Sequence, residues 1–92
     1  MKRFEAVAEI LQLIWFAKEY VDYDNKAVDW GSIELNMEKI SPSTTEKEMM
    51  VFARNLWNGD GVFALSLARL DKIHQLAVLK SLHFALDIPW EL

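Results

Sequence analysis

A chain of 92 residues with 52% hydrophobic and 26% charged residues falls in the range of one folded domain and leaves no room for two separate cores. Cysteine is absent, which excludes disulfides, thiolate metal sites and cysteine nucleophiles together and makes the cytoplasm the expected compartment. The net charge of −4 lies wholly in the first half, where residues 1–48 carry 6 bases and 10 acids against 4 and 4 in the rest; this argues against nucleic-acid binding, which rests on Lys and Arg displacing counterions.

Residues 3–20 contain neither Gly nor Pro and read as one helix. At about 100° per residue, Glu5, Glu9, Gln12 and Glu19 form a narrow polar stripe on which only Phe16 intrudes. Nearly everything else is apolar, including Phe4, Val7, Leu11 and Trp15, so the helix is expected to be covered from more than one side, with Trp15 in the core. Lys2-Arg3 is followed too soon by Glu5 and Glu9 for a signal region, and Ile10 to Ala17 is far shorter than the roughly 20 residues that span a bilayer, so neither a targeting segment nor a membrane span is expected.

Asp22, Asp24 and Asn25 favour a turn. Over residues 30–40 two templates compete: a helix aligns Trp30, Ile33, Met37 and Ile40, whereas a strand aligns Ile33, Leu35 and Met37 against Glu34, Asn36 and Glu38. The helix is favoured. Six acids and one base between Glu19 and Glu38 form an acidic stretch, most simply a solvated face and otherwise a contact surface for a basic partner.

Pro42 closes that segment, and Thr45 with Glu48 forms a capping-box pair that places a helix start near Glu46. Met49, Met50, Phe52, Ala53, Leu56 and Trp57 then make one apolar arc, which Asn58-Gly59 ends. Residues 62–65 read as extended and 66–70 as a helical turn. Asp71 is the cap of a last helix over 72–86, which shows apolar residues on two sides and stops before Pro89. The run Phe52-Ala53-Arg54-Asn55-Leu56-Trp57-Asn58-Gly59, followed by Phe63-x-Leu65-Ser66 and Leu70-Asp71, resembles small uncharacterised helical proteins carried on mobile genetic elements; the resemblance implies no activity.

The residues that bear chemistry do not assemble into a motif. Asn58-Gly59-Asp60-Gly61 looks like part of a calcium loop, yet Leu56 and Leu67 fall at its first and twelfth ligand positions. His74 and His83, nine apart on one helix, point roughly 180° from each other and cannot share a metal. No glycine-flanked serine, phosphate loop or zinc helix occurs. The expectation is therefore a mainly α single domain over residues 1–92, with three long helices and one or two short ones, and with room for a two-stranded pairing of 33–37 against 62–65. Its expected role is a non-catalytic interaction or regulatory module without catalytic residues, metal or cofactor, whose partner is a second copy in a homodimer or another protein. The rivals are a small-ligand binder and an acidic protein that blocks a basic nucleic-acid-binding site. Partner contacts are expected at Trp30, Glu34, Glu38, Trp90 and Leu92, because exposed Trp is enriched at interface centres and acids act at their rims.

Overall fold

Burial of the N-terminal helix dictates the arrangement. In a computed structural model that describes residues 2–58 and 70–86, α1 (Arg3–Leu11) buries Phe4, Ala6, Val7, Ala8, Ile10 and Leu11, nearly its whole circumference. It lies between two longer helices, α3 (Thr44–Asn58) and α4 (Lys72–Leu86), and packs most extensively on α4. A short antiparallel pair, β1 (Val21–Asp22) and β2 (Ala27–Val28), and the ten-residue α2 (Trp30–Lys39) complete a mainly α domain.

The first helix is much shorter than the expected 3–20. After Leu11 the amides of Leu13 and Ile14 donate to the carbonyls of Ile10 and Leu11, a tightening to three-residue turns, and a single 3₁₀ turn follows at Lys18–Tyr20. The reason lies in Phe16. A continued helix would place it on the polar stripe; the break buries Phe16, Ile14 and Ala17 almost completely and turns Trp15 outward, where it is 60% exposed. Trp15 is thus not a core residue.

The expected turn at Asp22–Asn25 is present: the Asp22 carboxylate accepts from the amides of Asp24 and Asn25 and from the Asn25 side chain. Lys26 closes the hairpin in the left-handed region, at φ 51°, and its ammonium meets Glu5 of α1 at 3.1 Å. The β pairing joins Val21 to Val28 and Asp22 to Ala27, so 33–37 is not one of its strands; Ile33 to Met37 is helical, as the four-residue apolar alignment favours. Residues 62–65 and 66–70, apart from the buried Leu70, lie outside the described residues.

Each later helix has its start fixed by a side chain. Asp29 caps α2, accepting from the Ser32 amide and hydroxyl at 3.1 and 2.6 Å. The box at α3 is Ser43 with Glu46, not Thr45 with Glu48: the Ser43 amide donates to Glu46 at 2.8 Å and the Glu46 amide to the Ser43 hydroxyl at 3.1 Å. Both pairs satisfy the same four-residue pattern, and the upstream one starts the helix two residues before Glu46. At α4 the His74 amide donates to Asp71 at 2.9 Å, as expected of that cap, and the helix has the expected bounds.

These caps make acid sensitivity predictable. The carboxyls of Asp22, Asp29 and Asp71 are held below the usual aspartate range, each chiefly by a hydrogen bond from the side chain or amide three residues on, and Glu5 below the glutamate range by a backbone amide and then by Lys26. A lowered folded-state pKa means that the unfolded chain takes up protons first. The stabilisation is then complete above the ordinary carboxylate value of about 4 and is lost as pH falls through the lowered folded values. Asp29→Asn and Asp71→Asn keep a capping oxygen but cannot titrate, so thermal melts of the double variant from pH 7 down to 3 are expected to show a shallower acid loss than the parent. Parallel curves would contradict this origin.

Candidate functional site

Two apolar surfaces and one polar pair are the candidates. The first surface is a groove of about 230 Å³ between α2 and α3, lined by Trp30, Glu34, Met37, Met50, Val51 and Arg54. The Asp29 cap fixes the start of α2, which sets Trp30 on its first turn and Glu34 and Met37 on the next two. The Arg54 guanidinium lies 4.8 Å over the Trp30 ring and 3.7 Å from the Glu34 carboxylate, and Trp57 meets the Trp30 indole in an edge-type contact with ring centroids 5.9 Å apart. The Trp30 Nε1 proton is buried and finds no acceptor among the described residues.

The second surface belongs to α4. Its inner side buries Ala77, Val78, Ser81 and Ala85 against the core, whereas Ile73, Leu76 and Leu79 on the outer side are 64%, 48% and 48% exposed. Lys72 and Lys80, both exposed, flank this apolar row. A groove of about 250 Å³ runs beside it, walled by Ile73, Leu76, Ala77 and Lys80 of α4 and by Glu9, Gln12 and Leu13 at the end of α1. The Gln12 side-chain amide donates to the Glu9 carboxylate at 3.1 Å.

The polar pair is Asp71 with His74, Oδ1 to Nδ1 at 2.6 Å, at the exposed start of α4. A carboxylate that orients an imidazole supplies two of the three members of a hydrolytic triad, and the same Asp71 oxygen also caps the helix. No group of three or more His, Cys, Asp or Glu side chains gathers among the described residues in a way that could hold a metal. Nor is any described helix long and apolar enough to cross a membrane.

Of the residues expected to meet a partner, Trp30 and Glu34 come together on one wall of the first groove. Glu38 is exposed one turn further along α2 and does not line it, and Trp90 and Leu92 lie outside the described residues. Within the acidic stretch Asp22 and Asp29 serve a turn and a cap, and Glu34 pairs with Arg54. Sequence reasoning missed Val51 and Arg54, which need the α2–α3 pairing to be recognised. It also missed the outer row of α4, whose signal was present as apolar residues on two sides of a helix with no Asp or Glu between Lys72 and Leu86. Compared with protein-family models, curated proteins and solved structures, the chain matches none.

Proposed function

We propose that this chain is a non-catalytic protein-interaction module whose contact face is the outer side of α4. The observation that supports the reading is the exposure of Ile73, Leu76 and Leu79 together on a helix whose opposite side is already buried. A contiguous apolar patch rimmed by charge is the common mark of a contact surface on a small domain, and none of these three side chains belongs to the core cluster of the described residues. The partner is a protein chain, either a second copy or a different protein.

A photoreactive benzophenone amino acid placed at Leu76, in the full chain expressed in its host, tests this. The expected result is adducts heavier than the monomer, in a yield well above that from the same group at the exposed Lys39 of α2. Equal yields from the two positions, or monomer alone at both, would overturn the reading.

A second reading, a small-ligand binder, is favoured by the Trp30 indole proton, which finds no acceptor among the described residues, on a residue that lines the α2–α3 groove with Met37 and Met50. Thermal-shift screening with small apolar acids separates the two: a rise in melting temperature quenched by filling the groove through Val51→Trp belongs to the ligand reading alone.

A further inference from the structure

We infer that the occupant of the α4 face is an acidic amphipathic helix of another protein, and not a second copy of this chain; the inference rests on the interaction reading above. The charge pattern carries it. Over one side of α4 the exposed residues are Lys72, Ile73, Leu76, Leu79 and Lys80, an apolar row between two lysines, and the helix contains neither Asp nor Glu. The carboxylate that faces the adjoining groove is Glu9 of α1, which already accepts from Gln12.

A two-fold pairing of α4 with itself meets these lysines badly. If the helices run antiparallel about Leu76, Lys72 lies four residues before the centre and Lys80 four after, so each faces the other lysine of the second copy. If they run parallel, each faces its own equivalent. Like charges set against one another weaken an interface and suppress that partner. Ten of the chain's fourteen acids lie in its first half; the one that lines the groove beside α4, Glu9, already accepts from Gln12, and Asp71 at the start of α4 already accepts from the His74 amide and ring, so each would have to give up or share a partner to answer the lysines of a second copy.

A foreign helix with apolar residues at i, i+3 or i+4 and i+7, flanked by Glu or Asp, satisfies both features at once. From Ile73 to Leu79 the row runs about 9 Å along the axis, which matches about two turns of a partner helix laid alongside. The apolar residues supply contact area and the lysines select sign.

Two helical peptides of about 15 residues test this, each with the same leucine row, one with Glu and the other with Lys on the flanks. Fluorescence anisotropy against the full chain is expected to show the Glu peptide bound at least ~10-fold more tightly, with the advantage shrinking as salt rises. The double variant Lys72→Glu, Lys80→Glu is expected to reverse the preference, and Leu76→Glu to abolish binding of both peptides. All three positions are exposed, and circular dichroism checks that the fold survives. Equal affinity for the two peptides, failure of the Glu peptide to bind, or a dimer by light scattering that Leu76→Glu splits would each overturn the inference. Where benzophenone at Leu76 still yields adducts in those cases, the interaction reading stands and only the acidic helix falls; where it yields none, both fall.

Discussion

Replacing Phe16 by Ala is expected to cost roughly 3–5 kcal/mol, the range for emptying a buried aromatic site. Phe16 is 2% exposed and packs with Ile10, Leu11, Ile14 and Ala17 in one core cluster, so its removal leaves a cavity that neighbours on a short, irregular segment cannot readily fill. The adjacent Trp15→Ala is expected to cost under about 1 kcal/mol, because that larger side chain is 60% exposed and contributes mainly an edge-on ring contact with Phe16 at 5.5 Å. A domain of this length has about 5–15 kcal/mol of stability in total, so the Phe16 variant should sit close to unfolding while the Trp15 variant melts near the parent. Urea titrations followed by circular dichroism read both, and Phe16→Leu provides a milder change if the Ala variant does not fold. The order of the two costs decides the structure of residues 12–17: an unbroken helix over 3–20 would make Trp15 the costly position and Phe16 the cheap one.

That pair of residues also marks where the sequence was legible and where it was not. The helix wheel isolated Phe16 as the one apolar residue on a polar stripe, and the misfit was the sign of the break. Without Gly or Pro nothing local announced it, because the break places Phe16 in a core cluster that also takes in Ile33, Met49 and Phe52, all distant in sequence. The α4 bounds and the Asp71 cap were legible, since a capping side chain stands directly before a long periodic stretch. So was α2, where four apolar residues align at helical spacing. Strands of two residues are too short to carry a period, which is why the pairing of Val21 with Val28 could not be found and was sought elsewhere. The register of the α3 cap was undetermined by pattern, because Ser43 with Glu46 and Thr45 with Glu48 read alike. For the candidate surfaces, Trp30 and Glu34 were named from residue type and one-helix spacing. Arg54, which holds them together, comes from α3 and becomes visible only once the two helices are paired.

The second large effect is expected at Ser81, the one buried polar side chain of the described core. Its hydroxyl is fully shielded from solvent and donates to the Ala6 carbonyl at 2.6 Å, a bond between α4 and α1 across 75 residues of sequence. The side chains around this crossing are small: Ala6, Ala77 and Ala85 are all buried, and nearby the Lys2 amide reaches the Phe84 carbonyl at 3.2 Å. Backbone-to-backbone bonding between the start of α1 and α4 shows how closely the two approach, and close approach is what small residues permit. Ser81→Ala keeps the volume and loses the hydrogen bond, with an expected cost of about 1 kcal/mol. Ser81→Leu loses the bond and in addition forces a branched side chain into a packed seam, which adds roughly 1–3 kcal/mol of overpacking or pushes the helices apart. Since α1 carries the largest share of the core, separating it from α4 should loosen its contacts with α3 as well, and the melt is expected to broaden as well as shift. Thermal unfolding of the two variants beside the parent measures the difference. A Leu variant as stable as the Ala variant would mean that α1 and α4 are not in close contact at Ser81, and the exposure of Ile73, Leu76 and Leu79 on the opposite side of the same helix would then lose its basis.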